Sequence, residues 1–150
     1  MTGISLQDHL FPTMNCFGCG PANPRGLQLK SYPTEGFTYA LFSPWREHDN
    51  GMGFLNGGII STILDCHSGA TVLYEADRQG WHAPEGAPLA FVTAGLDVRF
   101  LRPSPLNSPV ELRGYITSAS ESEIVCEAEL VHDGKTRAAA TALWKRWRAR

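Results

Sequence analysis

The stretch that most constrains this chain begins at Asn56. Asn56 caps helices well, and Ile59, Ile63, Cys66, Ala70 and Leu73 then follow at spacings of four, three, four and three. That spacing predicts one long helix from about Gly57 to Arg78. Ile60 and Leu64 widen the stripe, so the first turns are apolar over most of their circumference. Such a helix has to be wrapped by other structure, and the flanking sequence reads as strands. Leu27–Tyr32 and Phe37–Phe42 alternate on either side of a turn at Pro33–Gly36. After a loop at Gln79–Leu89 come four more strand patterns: Phe91–Leu101, Val110–Ser118, Ser122–His132 and Lys135–Trp147. Asp133-Gly134 between the last two is a hairpin turn. In Phe91–Leu101, Val92, Ala94, Leu96, Val98 and Phe100 make one apolar face, and Thr93 falls on the polar one. Six strands and one long helix are an α+β layout whose antiparallel sheet must curl about the helix.

A chain of 150 residues fits a single domain, with residues 1–25 as an irregular segment packed on it. The net charge of −2 gives no electrostatic case for nucleic acid or an anionic membrane as partner. The basic, aromatic tail from Trp144 to Arg150 reads as a solvated strand end rather than a phosphate grip. No apolar run is long enough to span a bilayer, and Met1–Leu10 lacks a signal pattern, so a cytoplasmic protein is expected. Cys16-Phe17-Gly18-Cys19 has the spacing of half a zinc site or a redox pair. Cys66 falls in the helix and Cys126 in a strand, neither beside another cysteine. No metal is therefore expected, and the thiols read as free and buried beside Phe17.

The chemistry points to the helix. A helix N-terminus carries partial positive charge, and glycines at 57 and 58 let another molecule approach its free N–H groups. Two turns on, Asp65 shares a face with Gly58, Ser61, Ser68, Gly69 and Val72, so a ligand or a second helix can come close. The arrangement offers oxyanion donors at one end and a candidate base or nucleophile further along. The plainer alternative is a capped, buried helix whose Asp65 meets an ordinary partner. His67 lies about 200° round the helix from Asp65 and reads as structural. His48 and Trp45 in the preceding loop read as a surface histidine and a packing tryptophan.

Three stretches carry a family resemblance. Asn56-Gly57-Gly58 with Asp65 nine residues after Asn56 is similar to a His-Gly-Gly…Asp motif. Phe91–Pro103 is similar to a strand ending in Arg-Pro, and Cys16–Leu27 to an N-terminal signature of some members. Together they resemble the hotdog acyl-CoA thioesterases, in the phenylacetyl-CoA thioesterase-like branch. That resemblance implies a six-stranded sheet around a central helix and hydrolysis of acyl-CoA without a cofactor beyond the substrate's own coenzyme A. It implies a homodimer or homotetramer with the site between subunits. Carried over, the Gly57 N–H, with Gly58, serves as oxyanion donor, and Asp65 as general base or nucleophile. Thr93 places water across the interface. Gly58, Ser61 and Ser68 face the substrate, and Arg102, with Arg99 and Lys145 as further candidates, meets the phosphates. Trp45, Phe54 and Trp81 suit an aromatic or medium-length acyl group. One departure stands out: Asn56 replaces the usual His, and it can donate to a carbonyl but cannot shuttle a proton. The rival reading is a silent acyl-CoA or small-lipid binder. A hydratase needs an Asp–His pair, which Asp65 and His67 on one helix cannot make.

Overall fold

The helical pattern is realised as α2, Gly57–Gln79, in a computed structural model that describes residues 3–148. Readings that extend to Met1, Thr2, Ala149 and Arg150 lie outside the described residues. Helix α2 ends where Gly80 takes a left-handed φ of 78° and its N–H closes on Ala76 and Asp77. Around it run α1 (Leu6–Leu10), β1 (Ser31–Pro33), β2 (Thr38–Phe42), β3 (Phe91–Phe100), β4 (Val110–Ala119), β5 (Glu123–His132) and β6 (Lys135–Arg146). The strands form one antiparallel sheet in the order β1-β2-β4-β5-β6-β3, curved about α2. This is the hotdog fold. Asp133 and Gly134 turn β5 into β6 with φ of 52° and 68°. Among the described residues, no helix is long and apolar enough to cross a membrane.

The core lies between α2 and the concave face of the sheet. Ile60, Ile63, Leu64 and Val72 of the helix are buried against Val110 and Leu112, Ile124, Cys126, Ala128 and Leu130, and the alanines 138, 140 and 142. Small side chains on β6 let the helix settle close. Gly114 of β4 marks the tightest approach, where a Cβ would sit 2.3 Å from Thr71 Oγ1 and 2.7 Å from Thr38 Oγ1.

Four expectations need correction. Leu27–Lys30 is not strand, because Gln28 takes φ 56°, and pairing begins only at Ser31. The N-terminal segment contains a short helix, capped by Ser5 Oγ accepting from the Asp8 N–H. Strand β3 does not keep its alternation, because the register against β6 shifts between Thr93 and Gly95. A bulge of one residue moves everything before it to the other face. Thr93 therefore pairs opposite inward-facing Trp144 and lies on the helix side, with Leu96 and Val98 beyond the bulge on that same side. Lastly, the C-terminal stretch is not simply solvated. Trp144 is 7% exposed, and Arg146 holds the carbonyls of Trp81 and His82.

Candidate active site

The first turn of α2 has three N–H groups to satisfy. Asn56 Oδ1 accepts from Gly58 at 2.7 Å and from Ile59 at 3.3 Å. The cap therefore occupies the Gly58 N–H, which the sequence reading offered to the oxyanion or the substrate. Among the described residues no partner is found for the Gly57 N–H. It opens on a surface cavity of about 420 Å³ lined by Phe54, Phe100, Leu101 and Arg102. Arg102 anchors one guanidinium N–H on the Thr136 carbonyl at 3.0 Å, so its backbone-held end stays beside that cavity.

Asp65 stands half-buried on a second cavity of about 380 Å³, mostly apolar, with Met14, Val92, Thr93 and Trp144 in its wall. Thr93 Oγ1 donates to Asp65 Oδ1 at 2.9 Å within the same chain. Burial raises the Asp65 pKa, the Thr93 hydrogen bond opposes that rise, and the charge of a Cys16 thiolate adds to it. The carboxylate thus has one oxygen fixed and the other free toward an apolar space. That is a fitting arrangement for a general base.

These two cavities share no lining residue. Gly57 and Asp65 are eight residues apart on one helix, which at 1.5 Å per residue separates them by roughly 12 Å. One thioester carbonyl cannot touch both in the same chain.

The other sequence candidates sort plainly. Ser68 is fully buried; its hydroxyl donates to the Asp65 carbonyl at 2.7 Å and accepts from Trp144 Nε1 at 3.1 Å. It is not free to meet a substrate. The Trp144 ring fills the small-residue face, with a Cβ on Gly69 only 2.7 Å from its edge. No sequence argument singled out Trp144, although Ala138, Ala140, Ala142 and Trp144 form the inward alternation of β6. Ser61 bonds back to the Gly57 carbonyl at 2.8 Å. Trp45, Phe54 and Trp81 do not line the Asp65 cavity, and only Phe54 lines that at Gly57. His48 is 6% exposed rather than a surface residue, stacked on Trp45 with Nδ1 accepting the Trp45 N–H. Lys145 lies 3.9 Å from Glu123, an exposed pair.

His67 is wholly buried and structural. Ser31 Oγ lies 2.9 Å from Nδ1, and Nε2 lies 3.2 Å from the Thr38 carbonyl. A carbonyl only accepts, so Nε2 carries the proton and Nδ1 accepts from Ser31. Gln7 in turn donates to Ser31 Oγ at 3.0 Å. Burial lowers the His67 pKa to about 4, so the ring is neutral.

One expectation about the cysteines fails. Cys66 does not stand apart: its Sγ is 3.7 Å from Cys16 Sγ, and Cys19 joins them. All three line the Asp65 cavity. Phe17, by contrast, is 52% exposed.

The sequence model of the thioesterase superfamily matches residues 52–139, more than half of the chain, from the loop before α2 into β6. No curated protein matches. Among solved structures, a phenylacetic acid degradation-related putative thioesterase of Ralstonia eutropha superposes with a TM-score of 0.68. It is 23% identical, over 85% of this chain and 92% of that one. A Bacillus halodurans protein solved with CoA gives 0.65 at 22% identity, over 83% and 77%. A thioesterase superfamily protein of greater length gives 0.68 at 21% identity over 83% of this chain, which spans 60% of that protein. At such identities the likeness is one of fold.

Proposed function

Since the chain belongs to the thioesterase superfamily, we propose that it hydrolyses acyl-CoA thioesters in a site built by two copies of itself. The observation that carries this reading is Asp65, held by Thr93 at 2.9 Å and bare toward an apolar cavity. Asp65 of one chain draws a proton from water, and the water oxygen attacks the thioester carbon. The carbonyl oxygen becomes an oxyanion and is met by the unpartnered Gly57 N–H of the other chain. The C–S bond then breaks, coenzyme A leaves as a thiolate and takes up the proton, and a free carboxylic acid remains. Direct attack by Asp65, forming an anhydride that water opens, balances equally.

The two-chain arrangement is supported by the roughly 12 Å between donor and base along α2. It is also supported by Met52, Phe54, Phe100 and Leu101 standing exposed around Gly57. Asn56 keeps its cap through Oδ1, leaving its amide N–H₂ to donate toward the substrate. Arg102 lies on the Gly57 side, where the phosphates of coenzyme A would seek a cation. The acyl group occupies the mostly apolar cavity at Asp65. The CoA held by the Bacillus halodurans protein favours this ligand class.

The test is release of free thiol from short, medium, long and aromatic acyl-CoAs. Turnover by the wild-type protein that saturates with substrate is the expected result. Saturable binding without turnover on any member of the panel would replace the hydrolase with a binding module.

A further inference from the structure

Three thiols from distant parts of the chain converge beside the Asp65 cavity. Cys16 and Cys19 come from the loop after α1 and Cys66 from α2, and their sulfurs all lie within 4.8 Å of one another. Cys16 and Cys66 are 3.7 Å apart. Two thiolates on one tetrahedral zinc, each at about 2.3 Å from the ion, sit roughly 3.8 Å from each other. This pair already has the length of one edge of that tetrahedron.

Simple contact would explain a single such pair, but not the way the loop is built. The loop that carries Cys16 and Cys19 is tied down by its own backbone and by the segment that follows it. The Gly20 N–H closes on the Cys16 carbonyl at 2.9 Å, and Leu27 and Leu29 strap the loop through the carbonyls of Phe17 and Gly18. Gln28 reaches the Gly20 carbonyl at 3.0 Å. At Gly18 a Cβ would lie 2.3 Å from Cys66 Sγ, so the loop is pressed onto the helix thiol. Three thiols from separate segments, held this close by a strapped loop, offer one cation three soft ligands at once.

We propose that Cys16, Cys19 and Cys66 bind one thiophilic divalent cation, zinc by its ligand chemistry, clamping the N-terminal loop to α2 next to Asp65. The Asp65 carboxylate lies outside the group of mutually close ligand atoms. The fourth position is therefore left to water from the adjoining cavity. Binding expels the thiol protons, and the three thiolates more than offset the ion's two positive charges. The assignment is independent of the hydrolase reading and holds equally for a binding protein.

The experiment uses the full chain, purified under reducing conditions without chelator. Its zinc content is measured, and the zinc-free protein is then titrated with Co²⁺ under reductant. One equivalent per chain, with thiolate-to-cobalt charge-transfer absorption that Zn²⁺ abolishes, is expected. Cys16→Ser, in the half-buried loop, should weaken binding more than the 10–100-fold typical of losing an outer-shell partner. Cys126→Ser, whose buried thiol donates to the Glu127 carbonyl, should leave the absorption intact. A folded, reduced wild-type protein with only trace zinc and no cobalt–thiolate absorption would overturn the site. So would absorption that survives Cys16→Ser, Cys19→Ser and Cys66→Ser alike.

Discussion

Asp65 and His67 are two residues apart on one helix, yet the surroundings of their side chains differ in every respect that matters chemically. His67 faces β1 and β2, where Ser31, Thr38, Gln7 and Thr71 close a buried network around it. Its ring nitrogens are satisfied, and burial keeps it neutral. Asp65 faces the edge strand β3, where one hydroxyl meets one carboxylate oxygen and the rest opens on a cavity. The first group serves the fold and has nothing left to offer a substrate. The second is held just enough to be positioned, and its remaining valence is unspent. A histidine is the commoner catalytic residue, but on this helix the carboxylate has the working environment.

Substitutions can break that contrast. Asp65→Asn should lower kcat by about 10²–10⁴-fold, the range for loss of a positioned general base. It should leave the melting temperature close to wild type, as read by parallel thiol-release and thermal-melt assays. His67→Leu should do the reverse. It leaves the Ser31 hydroxyl and Thr38 carbonyl short of a partner, at about 1–3 kcal/mol for each unsatisfied buried group. Denaturant melts should report the loss, while kcat per folded molecule stays put. The same histidine makes the wild type acid-sensitive. Its pKa in the fold is about 4, below the ordinary 6.5, so between those values only the unfolded chain takes up the proton. Stability should fall as pH drops from 6.5 toward 4 and stop falling from this source below that, as checked by melts across the window. Thr93→Val removes the hydrogen bond that aims Asp65 and should cost roughly 10-fold in kcat, about 1.4 kcal/mol in the barrier. The smallest effect is Ser68→Ala, which frees Trp144 Nε1 at a cost of about 1 kcal/mol in stability with KM unchanged. A raised KM would return Ser68 to the substrate.

The long helix, its apolar girth, the succession of strands along the chain and the hairpin at Asp133-Gly134 were legible in the sequence, because each rests on local periodicity or turn chemistry. Asn56 as cap and Asp65 on a face of small residues were legible for the same reason. What was not legible depends on contacts between distant parts of the chain. Period-2 alternation cannot register a one-residue bulge, so Thr93 was placed on the wrong face of β3. Cys66 stands 50 positions from Cys16, and only the fold of the N-terminal loop over α2 brings the two together. Ser68 looked available because helical spacing shows which face a residue occupies but not that Trp144 arrives there from β6. Gln28 at φ 56° ends a strand pattern that its composition supports.

The central claim is that one chain supplies the base and another the oxyanion donor, and a hybrid oligomer tests it. Gly57→Pro deletes the N–H at the first helical position, where proline fits, and Asn56 before it already has φ −62° and ψ 136°. Each homo-oligomer, Gly57→Pro or Asp65→Asn, should be nearly inactive. Purified hybrids containing one chain of each keep one intact pairing of Asp65 with Gly57, and should recover about half of the wild-type rate per dimer. Hybrids as inactive as their parents, with both variants folded and assembled, would place donor and base in one chain and contradict the account.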